Sequence, residues 1–144
     1  AYGRDPRSTG RRAEEYLKYT KLGDNAFFGP ELEFFLFDDV RWNVEGHRSF
    51  YELDSMELPS NTGRIYDGGN YGHRPQTKGG YFPVPPVDSL NDIRAEMITV
   101  LESVGMVPQL HHHEVAPAQC ELGFEFSTLV KTADNVQKYK YVVH

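Results

Sequence analysis

The chain has 144 residues, 39% of them hydrophobic and 25% charged, with a formal net charge of −6 at pH 7. That length suits one domain with a buried core and hardly allows two, and the acidic balance argues against nucleic acid as a partner. A single cysteine, Cys120, excludes an intrachain disulfide and suits a reducing compartment, and no apolar run approaches the ~20 residues that span a membrane.

Asp5-Pro6 opens the first predicted helix, with Asp as cap and Pro at the first helical position. It runs to about Lys18, with Ala13, Tyr16 and Leu17 as its apolar side and Arg4, Arg7, Arg11 and Arg12 as a solvated basic group. Residues 25–37, rich in phenylalanine, read as one strand. Side chains alternate along a strand, so Glu31 and Glu33 share a face, ~7 Å apart, while Leu32, Phe34 and Leu36 take the other and belong to the core. Residues 40–78 read as a long functional or assembly loop holding one hairpin, with a short strand at 49–53 and Gly- and Asn-rich stretches beyond it. The prolines of 83–86 exclude helix and central strand. Gly79-Gly80 reads as a bend.

Asp88 or Ser89 is expected to cap a second helix, with Leu90, Ile93, Met97, Val100, Leu101 and Val104 as its apolar stripe and Gly105 as its stop. Residues 106–116 and 119–126 then form an antiparallel hairpin turning at Pro117-Ala118. His112 and Glu114 share a face of its first strand and Glu121 stands on the second, so Glu114 and Glu121 can meet across the pair. Ser127 is expected to cap a last helix with a stripe of Val130, Ala133, Val136, Lys140 and Val143. The chain starts at Ala1 and stops at His144 inside an apolar helical pattern, so it is expected to be a piece of a longer protein.

Glu31, Glu33, Glu114 and Glu121 lie in runs with few other charges. Carboxylates crowded into a half-buried site must protonate or hold a cation, and an all-carboxylate set favours Mg²⁺ or Mn²⁺ over zinc. His111-His112-His113 suggests zinc, but the H-x-x-x-H spacing of a helical zinc site is absent, and His111 and His113 read as packed or hydrogen-bonded residues. A cupin-like barrel is a weaker alternative, because Pro117 or Ala118 stands where its glutamate belongs. Cys120 reads as buried filler rather than a nucleophile. No P-loop and no G-x-S-x-G elbow is present. A polycarboxylate site without a P-loop suits metal-assisted phosphoryl transfer.

Asp5-Pro6-Arg7, Phe28-Gly29-Pro30-Glu31-x-Glu33-Phe34, Asn70-x-Gly72-His73-Arg74-Pro75, the run from Lys78 through Gly79-Gly80-Tyr81-Phe82-Pro83 to Asp88, His112-His113-Glu114-Val115-Ala116 and Tyr139-Lys140-Tyr141-Val142-Val143 resemble, in order, bacterial type I glutamine synthetase. The resemblance covers nearly the whole chain. It implies an α+β fold, a curved and mainly antiparallel sheet with helices on one face, with residues 1–144 as part of a catalytic domain lacking its N-terminal β-grasp domain and its C-terminal remainder. It implies a cytoplasmic, dodecameric ligase that joins ammonia to L-glutamate with ATP through γ-glutamyl phosphate, at a site holding two Mg²⁺ or Mn²⁺ ions. By the same resemblance Glu33, Glu114 and Glu121 hold the metal that orders glutamate and its acyl phosphate, and Glu31 a ligand position of the ATP-side metal. Tyr81 lines the ammonium pocket, and Gln109 stands where many members carry a nucleotide-contacting glutamate. The segment between Trp42 and Lys78 corresponds to the lining of the dodecamer's central channel. Ala118 replaces the glycine usual before Gln119. Two further readings stand beside this one: a related γ-glutamyl ligase with an amine acceptor, and a noncatalytic metal-binding assembly module. Since further ligands and substrate-binding arginines are expected outside the chain, the chain alone is expected to be inactive.

Overall fold

The computed structural model describes residues 2–58, 60 and 72–144. Most of the predicted Gly- and Asn-rich loop thus lies outside the described residues. Among the described residues, helix, four strands, helix, three strands and helix follow one another, an α+β order with antiparallel pairings, as expected. By contacts the chain divides into two compact units: Ala1–Glu31 with Met97–Leu110 and Gly123–His144, and Leu32–Glu96 with His111–Leu122.

In the first unit, helix α1 (Pro6–Thr20) starts where Asp5 accepts from the backbone N–H groups of Arg7 and Ser8 and from the Ser8 hydroxyl, satisfying donors that a helix start leaves unpaired. Its expected apolar side is not its buried side: Ala13 and Tyr16 are exposed, and Ser8 is the buried residue. The predicted strand at 25–37 is two strands, because Pro30 offers no N–H to a ladder. The first piece, β1 (Phe27–Phe28), pairs antiparallel with the late strand Ser127–Thr128. The last helix, Leu129–Val143, begins after Thr128, not at a Ser127 cap, and Thr128 makes no side-chain cap bond. Glu14 of α1 serves instead, accepting from Val130 N–H at 3.0 Å, a carboxylate at a positive helix end. Arg7 holds Asp134 of the same helix through two bonds of 2.8 and 2.9 Å. The buried positions of this helix are Thr132 and Tyr139 rather than the predicted valine stripe. Leu101, Met106, Phe124 and Tyr139 form the buried apolar group of this unit.

Strand β2 (Glu31–Phe35) alternates as predicted, but Glu31, Glu33 and Phe35 are exposed and Leu32 and Phe34 only half-buried. It does not fit the hydrocarbon-like setting expected for its carboxylates. The long-loop region contains a regular hairpin, β3 (Asp39–Val44) with β4 (Ser49–Asp54), in register from Asp39↔Asp54 to Val44↔Ser49. Helix α2 (Asn91–Ser103) begins later than the predicted cap at Asp88 or Ser89. Its end matches expectation: Gly105 takes φ 78°, its N–H bonds Glu102 O, and Met106 N–H bonds Leu101 O. Those two bonds are the pairing a left-handed glycine allows at a helix terminus. The strands β5 (Pro108–His113) and β6 (Gln119–Phe124) form the predicted hairpin, and β2 lies on the far side of β6 in a three-stranded sheet ordered β2-β6-β5. The last strand, Ser127–Thr128, is β7, and the last helix is α3.

Candidate metal centre

The turn joining β5 to β6 has Pro117 at its second position and Ala118 at its third, closed by Gln119 N–H on Ala116 O at 3.1 Å. Such a turn with a positive φ at its third residue favours glycine there. Ala118 adopts φ 62° all the same and is fully buried. Alanine at this position therefore leaves the turn closed, at a strain of roughly 1–2 kcal/mol. Glu114 N–H then bonds Gln119 O at 2.8 Å, starting the ladder.

This ladder brings His112, Glu114 and Glu121 together. One ligand atom from each lies within 4.8 Å of the others, and all three residues are buried. His112 Nδ1 lies 3.0 Å from His113 O, so it carries a proton for that acceptor; Nε2 is turned toward Glu121 Oε2 at 3.1 Å. Glu114 Oε2 accepts from Val115 N–H at 2.9 Å, which orients its carboxylate. Two buried carboxylates beside an imidazole nitrogen make a donor set that fits a divalent cation.

Glu33 is joined to this hairpin through Gln119, whose Nε2 donates to Glu33 Oε2 at 2.7 Å while its Oε1 accepts from Ala116 N–H at 2.9 Å. Gln119 and Glu121 lie two apart on β6 and so share a face. Glu31 and Gln109 are exposed, in β2 and β5, and no described contact joins either to the cluster. Tyr81 is 61% exposed; its ring meets His112 edge-on with centroids 5.8 Å apart. Phe82, at φ 56°, stacks on that imidazole at 4.3 Å and meets the Tyr81 ring edge-on at 4.9 Å, and its N–H bonds His113 O at 3.3 Å. The Gly79-Gly80 bend has a steric reason: a Cβ on Gly80 would stand 3.1 Å from Val115 O and 3.2 Å from Pro75.

Beneath the cluster lies a polar network absent from the sequence reading. Glu57 accepts four hydrogen bonds: from Ser89 N–H (2.9 Å) and Ser89 Oγ (2.6 Å) on Oε1, and from Ala118 N–H (2.6 Å) and His113 Nε2 (2.7 Å) on Oε2. Burial alone pushes the Glu57 carboxyl up, but these donors outweigh it and hold it at about 2. His113 Nδ1 faces Glu114 O at 2.6 Å. Both of its partners are acceptors, so both ring nitrogens carry protons; burial lowers its pKa, but the Glu57 bond and charge, with the Glu114 carbonyl, together raise it by more. Arg94, also buried, holds Asp88 through Nη1 (3.0 Å) and Nη2, and its Nε faces His111 Nδ1 at 3.4 Å. Burial depresses the His111 ring, and the Arg94 charge adds to that. Cys120 is fully buried, and burial pushes its thiol up to about 11 although Arg94 pulls the other way, which suits filler rather than a nucleophile. Neither Glu57 nor Arg94 carries a local sequence signal, since their partners lie on other segments.

The family profile described as "Glutamine synthetase, catalytic domain" matches residues 3–144. The chain is 58% identical over 144 residues to glutamine synthetase of Rhizobium meliloti (strain 1021), covering 100% of this chain and 31% of that protein. It is 55% identical over 144 residues to glutamine synthetase of Escherichia coli (strain K12), covering 99% of this chain and 31% of that one. Among solved structures it resembles a cryo-EM structure of Plasmodium falciparum glutamine synthetase with TM-score 0.83 at 24% identity, over 99% of this chain and 28% of the other. At that identity the likeness is one of fold. The chain thus spans less than a third of the length of these relatives.

Proposed function

This chain belongs to the glutamine synthetase family, through that family's catalytic domain, and on that premise we propose that residues 1–144 are part of the site at which a longer protein ligates ammonia to L-glutamate with ATP, by way of γ-glutamyl phosphate. The observation that supports this reading is the meeting of His112, Glu114 and Glu121 within 4.8 Å. Glu114 and Glu121 hold a Mg²⁺ or Mn²⁺ ion, His112 adds a nitrogen donor, and Glu33 completes the set beside Gln119. Glu31 belongs to a second ion. When bound, such ions neutralise phosphate oxygens and fix the reacting groups.

The chain's own residues do the orienting. The His113 carbonyl holds the His112 ring, and the stacked Phe82 ring fixes its plane. Tyr81, exposed at the edge of that stack, lines the ammonium pocket, and Gln109 contacts the nucleotide. The working form is a cytoplasmic homo-oligomer, a dodecamer.

The test is a Mn²⁺ titration of the chain followed by electron paramagnetic resonance. Binding is expected in the unsubstituted chain and is expected to be lost in E114Q and in E121Q. Undiminished binding in both variants would remove the assignment.

A further inference from the structure

Glu57 sits outside the cluster but touches the peptides that carry it. One carboxylate oxygen takes Ala118 N–H and His113 Nε2; the other takes both donors of Ser89. His113 directly precedes Glu114 in the chain, and its second nitrogen bonds the Glu114 carbonyl. Ala118 lies in the turn just before the return strand that carries Glu121, and it holds a positive φ that a β-carbon disfavours. Of the two residues anchored on this one oxygen, one directly precedes Glu114 and the other sits in the turn that leads to Glu121. A strained turn residue persists only where its surroundings over-determine it, and here the N–H of the strained residue is the one tied down.

We propose that Glu57 is a positioning residue for the metal centre, its carboxylate setting the distance between Glu114 and Glu121 by fixing His113 and the Ala118 turn to Ser89. This rests on the reading of His112, Glu114 and Glu121 as a cation site. Groups that orient metal ligands typically contribute 10–100-fold to metal affinity. Glutamine is nearly isosteric with glutamate but has one acceptor oxygen. Whichever way its amide turns, its NH₂ faces donors on one side, either Ser89 or the pair Ala118 and His113.

The test compares Mn²⁺ affinity, by titration calorimetry, with folding, by far-UV circular dichroism and urea unfolding, in the 144-residue chain. E57Q is expected to keep the folded spectrum and bind Mn²⁺ about 10–100-fold more weakly. S89A, which removes one bond from the opposite oxygen, is expected to keep the affinity of the unsubstituted chain. A purely structural Glu57 would lower the urea midpoint of E57Q and leave its Mn²⁺ affinity unchanged under native conditions; that result overturns the proposal, as does an equal loss of affinity in S89A. If E57Q does not fold, E57D replaces it, keeping the charge but drawing the carboxylate back by one methylene, with the same expected and overturning results. E114Q and E121Q separate the two levels. If they abolish binding while the Glu57 variants bind normally, only the positioning role fails. If they too bind normally, the metal assignment fails and the positioning role with it.

Discussion

The β3–β4 and β5–β6 hairpins are both built from six-residue strands, yet they treat their side chains in opposite ways. Facing residues of an antiparallel pair share a face, so the register sets Val40 with Leu53 and Trp42 with Tyr51 on one side of β3–β4. Trp42 and Tyr51 are 70% and 76% exposed there. In β5–β6, residues 120–122 are buried in succession, and His112, His113, Glu114 and Glu121 are buried among them. A polar group in water satisfies itself; a buried one is costly unless partnered. The first hairpin can therefore vary at small cost, whereas the second requires Glu57, Ser89 and the neighbouring Asp88–Arg94 pair to stand where they do.

The strongest way to break this contrast is at Arg94. R94A leaves Asp88 buried without its charge partner, which is expected to destabilise the chain by about 3–5 kcal/mol in urea unfolding. R94M combined with D88L should recover most of that loss, because an apolar pair asks for no partner. If R94A costs less than ~1 kcal/mol, the buried network is not what holds this region.

Acid offers a milder probe. The folded Glu57 carboxyl titrates near 2, below its ordinary 4.5, so its contribution is present above pH 4.5 and is lost as pH falls through 2. The loss should be roughly 3 kcal/mol by that shift, read from urea midpoints at successive pH values. His113 closes the window from the other side. Its folded pKa lies above 6.5, so its contribution is full below pH 6.5 and fades as pH rises through the folded value. E57Q should flatten both edges.

The smallest effect belongs to the exposed hairpin. W42A removes a cross-strand partner of Tyr51 and should cost only about 0.2–1 kcal/mol. A loss as large as that of R94A would show that the ribbon is not the tolerant half of the comparison.

Much of this was legible in the residues. Asp5-Pro6 specified a helix start, Gly105 a helix end and Pro117-Ala118 a hairpin turn, because caps and turns depend on the backbone preferences of neighbours in sequence. Glu114 and Glu121 could be brought together on paper for the same reason: a hairpin with a known turn fixes which residues face each other. The same local reasoning failed at residues 25–37, where Pro30 divides the run and each piece pairs with a different strand. It failed again at α3, whose start is capped by Glu14 from another helix.

The amino-acid order by itself determined the helices, the β5–β6 hairpin and the carboxylates it carries, since those follow from interactions within a few residues. Tertiary structure alone decided that His112 joins the carboxylates, that Gln119 ties Glu33 to the turn, and that Glu57 lies beneath it. Hydrogen-bond partners 56 and 61 residues apart, as His113 and Ala118 are from Glu57, leave no periodicity in a chain. They become visible only when burial removes water and each buried donor has to find an acceptor.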